Sequence, residues 1–143
     1  MTGSINFFTE DLDYRIREKR KIRAWILDTI RKENILPGEI NIIFCNDSYL
    51  AKLNRKYLKR NTLTDIITFS FGERDLISGD LFISLDRVRE NAKIFGISLT
   101  RELSRVMIHG ILHLAGYDDQ SEREVMKMRM KEDFYLQRLE KLP

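Results

Sequence analysis

The chain's two histidines stand four residues apart, in His109-Gly-Ile-Leu-His113. On a helix that spacing puts both imidazoles on one face, where they can converge on one ion. Gly116 follows and permits the backbone to reverse, and Asp119 comes soon after. A turn at the glycine can return the carboxylate toward the imidazoles, in the pattern H-x3-H-x2-G-x2-D. His109, His113 and Asp119 are therefore candidate metal ligands, and two imidazoles with one carboxylate leave a fourth tetrahedral position open, as in a catalytic zinc site. Histidine pairs at this spacing also occur on helix surfaces without metal. The glycine, the returning carboxylate and the lack of any other histidine favour the ligand reading. Zinc peptidases of the H-E-x-x-H type carry their general base at the position held here by Gly110, and a glycine takes no proton. Peptide hydrolysis by that route is disfavoured, and a base would have to come from Asp118, Glu122, Asp65 or Asp80. Each of these also reads as a cap, a turn or a solvated carboxylate.

A scaffold must hold that pair. With 143 residues, 43% of them hydrophobic and 33% charged, the chain suits one folded domain over 1–143 with a real core. It has no apolar run long enough to span a membrane and no signal-like opening. Its single cysteine, Cys45, fits a reducing, cytoplasmic setting and reads as buried and inert. The net charge is +3, and residues 1–60 hold 13 basic against 8 acidic side chains. A basic half of this kind raises the local concentration of a polyanion, although basic helices also serve solubility.

Periodicity predicts helices over 13–34, over a second segment capped by Asp47 or Ser48 and running through Tyr57, and over 86–95. A long helix should start near Ser98 or Thr100 and stop at Gly116, and a charged one should cover 121–140. Apolar runs predict strands at Ile5–Phe8, Ile40–Cys45, Ile66–Phe71 and Asp80–Ser84, the last two as an antiparallel pair. The fold class is α/β (α+β): a small four-stranded mixed sheet against helices, with the metal motif at the end of a long helix. Expected inward residues include Trp25, Leu50, Leu53, Tyr57, Val88, Ala92, Phe95, Val125, Met128, Phe134 and Leu136. Met126, Met128 and Met130 recur at every second position, so one helix face cannot bury all three.

The segment His109-Gly-Ile-Leu-His-Leu-Ala-Gly-Tyr-Asp-Asp119 closely resembles the signature of the YbeY family of bacterial metal-dependent endoribonucleases. Leu53-Asn54 with Tyr57, Leu63-Thr-Asp-Ile-Ile-Thr-Phe69 and Ser78-Gly-Asp-Leu-Phe-Ile-Ser84 resemble further family elements in the same order. The resemblance implies one zinc ion held by His109, His113 and the residue at 119. It also implies cleavage of single-stranded RNA in ribosomal RNA maturation and quality control, with the small ribosomal subunit or its factors as partners. Two positions depart from the family pattern. The usual third ligand is histidine and here is Asp119, which makes the bound ion a weaker Lewis acid and brings manganese or iron into consideration. The arginine that commonly follows the tyrosine of the second helix is here Leu58, so phosphate contacts would fall to Arg55, Lys59 or Arg60. Arg105 shares the histidine face and is a candidate catalytic and phosphate-binding residue, though a helix salt bridge to Glu102 explains it equally. Thr64 and Asp65 match a family element and are candidates for positioning substrate near the site. The alternatives are a non-catalytic RNA-binding ribosome-assembly factor and a metallopeptidase, the latter disfavoured by Gly110.

Overall fold

The computed structural model describes residues 3–59, 63–73 and 75–143. Arg60, a candidate phosphate contact, lies outside the described residues. Four strands form one mixed sheet in the order β1-β2-β4-β3: β1 Ser4–Thr9, β2 Leu36–Cys45, β3 Ile66–Ser70 and β4 Leu76–Ser84. β1 and β4 run parallel to β2, and β3 pairs antiparallel with β4. The expected inner strand and antiparallel pair are both present.

Side-chain alternation sorts the sheet into two faces. Ile40, Ile42 and Phe44 of β2 join Ile77, Leu81 and Ile83 of β4 on one face. Against it pack α1 (Lys19–Lys32), α4 (Leu99–Leu114) and α5 (Glu122–Glu140), through residues such as Trp25, Ile26, Met107, Ile111 and Met128. α3 (Leu85–Phe95) adds Leu85 and Val88 to this core. On the other face Cys45 and Ile67 meet Leu50 of α2 (Asp47–Leu53). There Cys45 is fully buried, and burial first, then nearby carboxylates, push its thiol up to about 12, so it is inert at neutral pH. Beside that cluster a polar row crosses three strands. Asn6 donates to Asn41 at 3.1 Å, and Asn41 donates to Asp80 at 3.0 Å. Among the described residues no helix is long and apolar enough to cross a membrane.

Several expectations are corrected by packing. The first helix begins at Lys19, not 13, because Glu18 enters it with a left-handed backbone (φ 54°). The apolar residues before it, Leu12, Tyr14 and Ile16, lie in an irregular connection packed on the core, with Tyr14 edge-on to Phe44 at 5.3 Å. Asn46 rather than Asp47 or Ser48 caps α2, accepting from the Tyr49 N–H at 2.8 Å. Beyond Leu53 the helix widens into a π-helical turn, Asn54–Leu58. The extra residue per turn rotates Asn54 inward and leaves Tyr57 54% exposed, which a 3.6-residue period cannot anticipate. Phe95, Val125 and Phe134 are likewise exposed, not inward. Of the three methionines only Met128 is buried. Trp25 is core, and its indole donates to the Tyr135 carbonyl at 2.7 Å.

α4 crosses the sheet at Gly110. A Cβ there would stand 2.7 Å from Ile66 Cδ1 and 3.0 Å from both Leu81 methyls. Position 110 therefore faces the sheet, while His109 and His113 point away from it. A carboxylate at 110 would enter the core rather than assist a ligand site, a steric reason to set aside the peptidase reading. Gly110→Ala should cost about 1–3 kcal/mol through overpacking. Gly110→Glu should abolish cooperative folding at neutral pH, both changes being read by urea denaturation followed by circular dichroism. A fully stable Gly110→Glu protein would contradict this placement.

Candidate metal centre

Ser98 caps α4, its hydroxyl accepting from the Arg101 N–H at 3.1 Å. The helix then runs sixteen residues, ending just past His113. Gly116, with φ 108°, turns the chain back. Asp119 Oδ2 comes to 3.3 Å from His113 Nε2 and 3.6 Å from His109 Nε2, and the two Nε2 atoms are 3.0 Å apart. Donors about 2.0–2.1 Å from a tetrahedral ion stand roughly 3.3 Å from each other, so this triangle fits a single small divalent cation. The three side chains are 19, 23 and 35% exposed, open enough for a fourth ligand to enter.

The protonation pattern is set by a residue the sequence reading did not single out. Glu132 of α5 accepts from His109 Nδ1 at 2.7 Å. A carboxylate only accepts here, so Nδ1 carries the proton and the Nε2 lone pair points into the triangle, the arrangement that orients metal-binding imidazoles. Burial tends to raise the Glu132 carboxyl, but the His109 hydrogen bond and the Arg105 charge outweigh it and hold the group below the usual carboxylate range. The signal lay in the spacing. Met128, Glu132 and Leu136 recur at four residues, which places a carboxylate on the apolar stripe of α5.

Arg105 sits one turn before His109. Its guanidinium takes Glu102 in a bidentate pair, 2.9 and 2.6 Å, and reaches Glu132 at 3.2 Å. The salt bridge to Glu102 is thus made, and Arg105 braces α4 against α5. Asp65 stands 3.9 Å from the same guanidinium. Burial raises its carboxyl above the usual value, with Arg105 opposing. Thr64 donates to the Ile66 carbonyl at 3.2 Å and shapes the start of β3. A cavity of about 140 Å³ is lined by His109 and Asp119 of the triad together with Arg105, Glu132, Val125, Met128 and Arg129. Arg129 is a further residue that sequence reasoning missed.

Other candidates lie elsewhere. Arg55, Lys59 and Leu58 are exposed on or beside the π-helical turn, on a different segment. Asp80 belongs to the polar row on the sheet face away from α4, which removes it as a base for this site. Asp118 accepts from the Asp119 N–H at 3.0 Å and shapes the ligand loop. That loop is anchored from below. Glu33, at the end of α1, accepts from Tyr117 at 2.5 Å, from Lys131 at 3.1 Å and from Tyr135. Burial raises the Glu33 carboxyl and these three donors more than reverse it, leaving it lowered.

Glu132→Gln preserves shape but replaces an ionised acceptor with an amide. It should weaken zinc binding by about 10–100-fold, read by calorimetric titration of the metal-free protein. Unchanged affinity would show that Glu132 does not orient His109.

Residues 4–140 match the family described as Endoribonuclease YbeY. The endoribonuclease YbeY of Flavobacterium psychrophilum is 48% identical over 126 residues, covering 88% of this chain and 90% of that protein. That of Amoebophilus asiaticus is 43% identical over 135 residues, covering 94% and 92%. The fold is similar to the solution structure of a Thermotoga maritima protein, with a TM-score of 0.67 and 26% identity over 95% of this chain and 89% of that one. With the histidine–histidine–aspartate triad in place at the end of α4, this chain belongs to the YbeY endoribonuclease family.

Proposed function

We propose that this protein is a metal-dependent endoribonuclease that acts on single-stranded RNA in ribosomal RNA maturation and quality control. The observation that carries the reading is the convergence of two imidazole nitrogens and one carboxylate oxygen, with His109 oriented through its Nδ1 by Glu132. His109, His113 and Asp119 hold the ion, which we read as zinc, with manganese or iron as alternatives given the hard aspartate ligand. When bound, such an ion supplies Lewis acidity, lowering the pKa of water and neutralising charge on a phosphodiester.

The remaining work falls to the chain's own side chains. Glu132 keeps His109 in the ligating tautomer by accepting from its Nδ1. Arg105 is committed to carboxylates, so it contributes its field and the rigidity of the α4–α5 seam more than free donors. Arg129, exposed on the rim of the cavity, is the cation best placed to hold the phosphate that the family arginine, here Leu58, would hold. Arg55 and Lys59 serve the RNA strand farther out, Arg60 remains a candidate phosphate contact from the sequence alone, and Thr64 and Asp65 shape the start of β3. We read residues 1–143 as one domain, because both apolar clusters are built on the same sheet. Its partners in this reading are ribosomal RNA and the small ribosomal subunit or its factors, in the cytoplasm.

Asp119→Ala should lose stoichiometric metal and abolish RNA cleavage while retaining the far-ultraviolet circular dichroism of the parent. Retained metal with unchanged cleavage would overturn the ligand assignment. Arg129→Ala should leave metal content intact and lower the slope of log affinity against log salt for an RNA oligonucleotide by about one, as expected for one lost phosphate contact. An unchanged slope would place the phosphate elsewhere.

A further inference from the structure

α5 carries a second feature that the metal centre does not use. Met126, Met130 and Phe134 follow at four-residue intervals and are 67, 71 and 43% exposed. Four-residue spacing aligns them on one face of the helix, opposite the buried Met128. Exposed apolar residues scattered singly are unremarkable, but a contiguous apolar stripe marks an interaction surface. Beside it, where α5 meets the end of α1, runs a groove of about 440 Å³ lined by Met130, Phe134, Tyr135 and three lysines, Lys32, Lys127 and Lys131. Its one acid, Glu33, is 9% exposed and already receives Tyr117, Tyr135 and Lys131. The groove therefore presents an apolar floor within a cationic rim.

We infer that this groove and stripe dock an acidic amphipathic helical segment of a partner protein. Its apolar side chains would lie on Met126, Met130 and Phe134, with its carboxylates against Lys32, Lys127 and Lys131. Methionine suits the role, since its flexible thioether conforms to varied apolar surfaces. Two other occupants fit less well. A two-fold-related copy of this chain would set the lysine rim against itself. A nucleic-acid strand needs free aromatic faces for its bases. Here Lys32 Nζ lies over the Phe134 ring at 5.7 Å, and Tyr117 carries Lys127 and Lys131 at 5.5 and 5.4 Å. The groove's Lys127, Lys131 and Phe134 lie on the opposite flank of α5 from Glu132 and Arg129, so a helix seated in the groove leaves the metal cavity open.

The test is fluorescence anisotropy on the full-length, metal-loaded protein. The probe is a labelled helical peptide with leucines at positions i, i+4, i+7 and i+11 and glutamates on its flanks. Binding should weaken about tenfold, ~1.4 kcal/mol, in Met130→Ser and again in Lys127→Glu. A peptide with lysines in place of the glutamates should not bind. Met126→Ser provides a second variant at a side chain outside the core, and RNA cleavage should be unchanged in all three. Equal affinity in the variants, or equal binding of the lysine peptide, would overturn the proposal. Displacement of the peptide by a single-stranded RNA oligonucleotide, lost in Met130→Ser, would reassign the groove to nucleic acid. Sedimentation showing a dimer that Met130→Ser dissociates would reassign it to a second copy.

Discussion

Glu102 and Glu132 are both almost fully buried, at 0 and 4% exposure. Burying one unpaired carboxylate costs several kcal/mol, and burying two near each other is untenable without a cation between them. Arg105 is that cation. Its fork holds Glu102 on its own helix and reaches Glu132 on the next, and Glu132's second oxygen takes His109. Helix–helix packing, the seating of α5 and the orientation of a ligand imidazole are thus one electrostatic arrangement. Its charges cannot be removed singly, because removing any member strands the others in a low-dielectric seam.

The same arrangement explains why two charged residues are used differently from how their types suggest. An arginine on the histidine face invites assignment to substrate phosphate, yet its donors are largely spent inside the protein. A glutamate in a heavily charged terminal helix looks solvated, yet it is the group that selects the His109 tautomer. Arg129, which makes no hydrogen bond or ion pair among the described residues, stands at the cavity rim. Around such a centre the useful distinction lies in how much of a charge's hydrogen-bonding capacity is already satisfied, rather than in its sign.

Much of this was legible in the residues. The four strands, the antiparallel β3–β4 pair, the start of α4 near Ser98, the terminal helix from about 121, and the convergence of His109, His113 and Asp119 all follow from local chemistry: periodicity, alternation, and a glycine at a reversal. The misses have a common cause. The start of α1, the π-helical turn after Leu53 and the exposure of Phe95 and Phe134 are decided by what the rest of the chain leaves to pack against, which periodicity does not carry. Glu132 is intermediate. Its place on the apolar stripe was visible, but its partner lies twenty-three residues away and only the fold joins them.

The row Asn6–Asn41–Asp80 has a bearing on how accurately the centre is built. Hydrogen bonds across three adjacent strands identify a single alignment, since sliding either junction by one residue would bring a polar side chain to the core face and an apolar one to water. Asp80 lies between Gly79 and Leu81, the residues that receive Leu114 and abut Gly110 of α4. A polar row remote from the ligands thereby acts as an indexing key: it fixes which residues form the bed for α4, and so the height and rotation at which both imidazoles leave the helix.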